Sequence, residues 1–134
     1  MTDILQEVAA LFNRSGEPVE GFDMGHVEAE AEAIMSFTGR PYCLVRAWSI
    51  IEVDVSEDYK VSLATDGLSP YVLYASDVVL HSGGKRRPGD WVRSTFQRSF
   101  TQGFLFETKN TTYLLMGPGL RKKASVEAIL AIVS

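Results

Sequence analysis

The chain has 134 residues, 46% hydrophobic and 22% charged, with a formal net charge of −4 at pH 7. That composition excludes a disordered chain, and no run reaches the roughly 20 apolar residues of a membrane-spanning helix. Cys43 is the only cysteine, so an intramolecular disulfide is excluded, and the length predicts a single domain over residues 1–134.

Thr2 is placed to cap a first helix from Asp3, with Ile4, Val8, Leu11 and Phe12 at helical spacing and Gly16 as its stop. The same segment has no basic region followed by an apolar core, so no secretion signal is expected. With one cysteine, a reducing cytoplasm is the expected home. Residues 17–21 read as a loop. A second helix is predicted from about Gly25 to Phe37, with Val27, Ala31, Ile34 and Met35 as its apolar stripe and Glu28, Glu30 and Glu32 elsewhere.

At Tyr42 the period changes. Tyr42 to Val55 reads as a strand, ending in the alternation Ile51, Glu52, Val53, Asp54, Val55. Ser56 to Asp58 reads as a turn, and Tyr59 to Ala64 as a second alternating strand through Tyr59, Val61 and Leu63. Tyr71 to Ala75 predicts a strong strand, with a bulge expected at Asp77 before Val78 to Leu80. Residues 82–89 form a loop by their Gly, Pro and basic content, and a short strand is predicted to start between Asp90 and Thr95.

The stretch expected to organise the chain is Gly103 to Gly119. Phe104, Leu105, Phe106 and Tyr113, Leu114, Leu115, Met116 flank a polar turn, with Asn110 suited to positive φ. Both runs are apolar on two faces, which predicts a hairpin inside a sheet, covered on two sides or closed on one side by helices. Gly117-Pro118-Gly119 predicts a sharp reversal after it. Ser125 is placed to cap a last helix, with Val126, Ile129, Leu130 and Val133 as its buried face. The layout predicts an α+β domain: two N-terminal helices, a curved and barrel-like sheet of five to seven mainly antiparallel strands, and a C-terminal helix packed on it.

Charge is unevenly distributed. Residues 1–60 carry twelve acidic and four basic side chains, a net −8; residues 61–134 carry five and nine, a net +4. Such asymmetry speaks of partners rather than fold. The acidic half yields one set of contact candidates, Glu28, Glu30, Glu32, Glu52 and Asp54, which would steer a basic partner protein. The bland reading of those residues is a solvated helix face and a polar turn. The basic loops 85–98 and 121–123 yield a second set, Arg86, Arg87, Arg93, Arg121 and Lys122, for a phosphate ligand or nucleic acid. Trp91, Phe96 and Phe100 would then offer stacking surfaces. Against it, an isoelectric point near 5.1 is far from the basic footprint of a dedicated nucleic-acid binder.

Catalytic chemistry finds little support. His26 and His81 are the only histidines and have no metal-ligand spacing with Cys43, so neither a metal nor a cofactor is expected. Ser82, His81 and Asp90 contain the residue types of a hydrolytic triad without a spacing that demands one. Residues 54–65 start like a calcium loop, but Tyr59 and Thr65 stand where glycine and glutamate are required. Cys43 reads as a small buried hydrophobe.

Gly89-Asp90-Trp91-Val92-Arg93-Ser94-Thr95, then Phe104 to Thr111 and Gly117-Pro118-Gly119, resemble the C-terminal part of a small uncharacterised family of bacterial proteins. The resemblance covers about residues 71–123 and does not reach the predicted N-terminal helices. It implies a bacterial, intracellular origin and carries no activity. The expected function is therefore a non-enzymatic protein-binding module of the inhibitor, immunity or adaptor kind, using its acidic surface on a basic partner. The alternatives are a nucleic-acid or phosphate-ligand binder, and an enzyme of unknown type.

Overall fold

The computed structural model describes residues 16–23, 25–36 and 41–131. The first predicted helix, the end of the second and Val133 lie outside the described residues. Those described form an α+β fold, a curled open half-barrel sheet with three helices. In chain order the elements are β1 (Glu17–Val19), α1 (His26–Ser36), β2 (Tyr42–Asp54), α2 (Glu57–Thr65) and β3 (Tyr71–His81). Then come β4 (Val92–Arg93), β5 (Ser99–Thr101), β6 (Leu105–Glu107), β7 (Thr112–Leu115), β8 (Gly119–Ser125) and α3 (Val126–Ala131).

Strand β2 is the spine. Its 13 residues pair antiparallel with β3 along one edge, from Cys43↔His81 to Glu52↔Tyr71. The other edge is shared end to end: Tyr42 to Val45 pair parallel with β7, and Ser49 to Asp54 pair parallel with β8. The reversal expected at Gly117-Pro118-Gly119 therefore does not happen. The chain breaks its pairing there, with positive φ at Gly117, and runs on beside β2 in the same direction. The sheet is continued by β6 and β5 beyond β7, by β1 beyond β8 and by β4 beyond β3. Five of the seven pairings are antiparallel.

The predicted hairpin is present as β6 and β7. Its turn is held by Thr108 rather than by a left-handed Asn110. Thr108 N donates to Thr111 O at 2.9 Å, and Thr108 Oγ1 accepts from Thr111 N at 3.2 Å.

The alternation of β2 breaks at its middle, where the sheet curls. Val45 and Trp48 are three residues apart, yet both are buried in the same inner core with Ile50, Leu73, Phe106 and Leu115. Arg46 and Ala47 between them are exposed, and Ala47 takes a left-handed φ of 51°. The register irregularity with β3 falls between Leu44 and Val45, leaving Val79 as the extra residue; Asp77, where a bulge was expected, pairs regularly with Arg46. Trp48 plugs the junction of β7 and β8. Its Nε1 donates to Met116 O at 3.3 Å and Gly117 O at 3.1 Å, and its ring lies flat on Gly119.

The outer face is covered in two places. Ala29 of α1 packs with Leu44, Leu105, Leu114 and Met116. Ala128 and Ile129 of α3 pack with Ile51, Val53, Val72 and Ala124. Three readings of the helices change. Among the described side chains of α1 the buried one is Ala29, while Ala31 and Met35, expected in the stripe, face solvent; Val27 and Ile34 lie outside the described side chains. In α3 Ile129 is buried as expected, but Val126 and Leu130 are exposed. Tyr59 to Ala64 is helix, not strand. Ser56 Oγ accepts from Tyr59 N, Glu57 and Asp58 sit in the first turn, and the capped start outweighs the alternation; of the three apolar residues only Leu63 is buried. Residues 17–19, read as loop, form β1 because β8 offers them a free edge.

Candidate functional site

The helix corrections leave a concavity on the outer face. A groove of about 610 Å³ runs between the end of β2, α2, α3 and the segment from Arg93 to Phe96 at the end of β4. Its floor is apolar, with Val53, Val55, Val72 and Phe96, and Ile129 walls one side. Tyr59, Val126 and Leu130 form its lip and remain 46%, 39% and 60% exposed. The size is that of a ligand or peptide cleft.

Two charged side chains reach this groove. Asp54, exposed, lies at the end of β2, and Arg93 comes from β4. Strand alternation places Arg93: its neighbour Val92 is 3% exposed and belongs to the inner core, so Arg93 must face out. Arg93 pairs with Tyr74, which pairs with Ser49; Ser49 and Asp54 are five residues apart, about 17 Å along the strand. The two charges therefore mark opposite ends. Arg93 Nε is buried and has no hydrogen-bond partner among the described residues. Next to it, Ser94 is committed: its Oγ accepts from Leu73 N at 2.8 Å and donates to Thr95 O at 2.7 Å. Outside the groove lining, Tyr74 pairs with Arg93 across the strands and stacks loosely on the exposed Trp91, with centroids 6.2 Å apart.

The acidic candidates do not form one surface. Glu28, Glu30 and Glu32 ride on α1, over the Leu44 end of β2. Glu28 is exposed, whereas Glu30 and Glu32 are half-buried and engaged. Glu52 is eight residues from Leu44, about 26 Å along the strand. It accepts a long hydrogen bond from Tyr71 Oη at 3.4 Å and stands beside Lys123 in the parallel register.

The basic candidates are divided as well. Arg86 and Arg87 lie in the exposed loop after β3. Arg121, Lys122 and Lys123, read as a loop, lie within β8, so they alternate faces. Arg121 points to the inner side, 5.4 Å over the Phe100 ring, while Lys122 shares the outer face with Arg93 and burial lowers its pKa.

Ser82, His81 and Asp90 each hold a backbone N–H instead of one another. Ser82 Oγ accepts from Tyr42 N, His81 Nδ1 from Gly83 N, and Asp90 Oδ2 from Arg87 N. Burial, then Lys85 and Arg86, hold the His81 pKa below its ordinary value. Neither the groove nor a smaller cavity of about 300 Å³ beside Gly117 is lined by His81 or Asp90. Burial pushes the Cys43 thiol up to about 12, against the pull of Arg86, which leaves it an inert core residue. Among the described residues no three His, Cys, Asp or Glu side chains gather to hold a metal. No described helix is long and apolar enough to cross a membrane.

Fold and groove together define an α+β half-barrel that carries an open apolar cleft on its convex side. The chain belongs to the family described as Domain of unknown function (DUF6957), whose model matches residues 20–131. That span takes in α1 as well as every residue lining the groove, so it reaches further than the similarity over 71–123 implied. No curated protein and no solved structure matches the chain.

Of the groove residues, Arg93, Asp54 and Phe96 stood out in the sequence, Phe96 as a stacking surface. Tyr59, Val126 and Leu130 read as core, because a pattern reports which side chains are apolar and not which are covered. The signal that could have found Tyr59 was the helix start Ser56-Glu57-Asp58.

Proposed function

We propose that this chain is a non-enzymatic protein-binding module, of the inhibitor, immunity or adaptor kind, that receives a segment of its partner in the outer-face groove. The observation that carries this reading is the lip of Tyr59, Val126 and Leu130. These three apolar side chains stay in solvent around one concavity, while Leu63, Ala128 and Ile129 of the same helices are buried. Scattered exposed apolar residues are ordinary, but a ring of them around a cleft marks a contact site. Asp54 at one end keeps a place for a basic group of the partner, as the acidic character of the chain suggested.

The test is selection of twelve-residue peptides from a random display library on the full chain. Binders should lose at least tenfold in affinity with Leu130→Arg and be unaffected by Met35→Arg, an exposed residue on α1. If binders tolerate Leu130→Arg but are lost on charge reversal of Glu28 and Glu32, the contact lies on α1 and the groove is not the site. A salt-sensitive gel shift with nucleic acid, lost on reversal of Arg86 and Arg87, would favour the basic loops instead.

A further inference from the structure

We propose that Arg93 reads a carboxylate on the segment that fills the groove. This rests on the groove being the binding site and specifies what it selects. A guanidinium is always charged and always a donor, and buried donors in folded proteins find acceptors. Arg93 Nε is buried without one among the described residues. The hydroxyl of Ser94, its chain neighbour, already holds Leu73 N and Thr95 O. Asp54 stands at the far end of the groove. An acceptor brought by the ligand completes the arrangement.

Geometry and solvation select the kind of anion. The two terminal nitrogens of Arg93, which unlike Nε are not shut off from solvent, present two parallel N–H groups that match the two oxygens of a carboxylate. A lysine offers a point charge and cannot reproduce that fork. The walls are apolar, and Asp54, Glu57 and Asp58 lie toward the other end, so a singly charged, weakly hydrated group is accommodated better than a phosphate dianion. Tyr74 and Trp91, on the Arg93 side, offer flat surfaces to apolar residues flanking the acid. The preferred ligand is a peptide segment with one aspartate, glutamate or free C-terminus amid apolar side chains.

The experiment uses the selected peptides, synthesised with a fluorescein label, against the full chain and its Arg93→Met and Arg93→Lys variants by fluorescence polarisation. Circular dichroism checks that each variant is folded. Neutralising the acid should weaken binding at least tenfold in the wild type and less than twofold in Arg93→Met. The neutralised form is Gln or Asn for a side chain and an amide for a C-terminus, which separates the two sources. Arg93→Lys should recover less than a third of the wild-type affinity. Equal losses in wild type and Arg93→Met would overturn the assignment to Arg93, while sensitivity to Leu130→Arg would keep the groove. Tighter binding of a phosphoserine replacement would overturn the choice of carboxylate. If no peptide is enriched, or if Leu130→Arg is without effect, the groove reading falls and this one with it.

Discussion

Gly119→Ala is the sharpest structural test. A Cβ built on Gly119 lands on Cδ2, Cε2 and Cε3 of Trp48, closer than carbon atoms tolerate, and the glycine's own φ is not what forbids it. The ring cannot simply retreat. It is 2% exposed, its Nε1 is tied to two carbonyls, and Gly21 also comes close, since a Cβ there would sit 3.0 Å from its Cζ2. Overpacking of this kind costs about 1–3 kcal/mol. If the ring tilts, the hydrogen bonds to Met116 O and Gly117 O are lost as well, at about 1 kcal/mol each. The expected loss is about 2–4 kcal/mol, read as a lower urea midpoint at unchanged slope. In a Trp48→Leu background the added methyl group has room, and the same substitution should cost less than about 1 kcal/mol. A change below about 0.5 kcal/mol in the wild type, or equal costs in both backgrounds, would refute the plug.

Ala47→Gly should stabilise by about 0.5 kcal/mol, since relief of a left-handed alanine outweighs glycine's entropy, and Ala47→Val should destabilise; urea melts of both decide it. Arg93→Met should raise stability by about 1 kcal/mol, because it removes a buried donor left without a partner; a clear loss in the thermal midpoint would mean the guanidinium is a structural support. Cys43 and Tyr113 predict alkaline sensitivity. Burial raises both, from 9.0 and 10.0 to about 12, so the unfolded chain ionises first. Their contribution is complete below pH 9 and is lost as pH rises through 12; Tyr113→Phe should flatten the fall of stability between pH 10 and 12. In the same samples Cys43 should resist alkylation at pH 8 until the chain is unfolded.

How much was legible differs along the chain. The β6–β7 hairpin and β2 could be read because each is a contiguous apolar run bounded by polar turns. The cap of α3 at Ser125 was visible for the same local reason, and its Oγ accepts from Ala128 N at 3.1 Å. Helix α2 was misread where two local signals competed. The alternation of Tyr59, Val61 and Leu63 suggested a strand, but a helix with a solvent-facing side can carry the same letters. In the candidate site Arg93 was visible as one basic residue among several. Its distinction from Arg86, Arg87 and Arg121 lies in where the sheet puts it.

The amino-acid order determined an α+β domain, the inert burial of Cys43 and the presence of the hairpin, because propensity, capping and local hydrophobic runs act within a few residues. Only the tertiary structure decided that β7 and β8 share one edge of β2, that Trp48 fills their junction, and that Tyr59, Val126, Leu130 and Arg93 surround one groove. Those facts depend on pairings between residues up to about seventy positions apart, such as Val45 with Leu115. Such contacts form because they bury surface that no local segment can bury alone, and a linear pattern carries no record of which distant partner will do it.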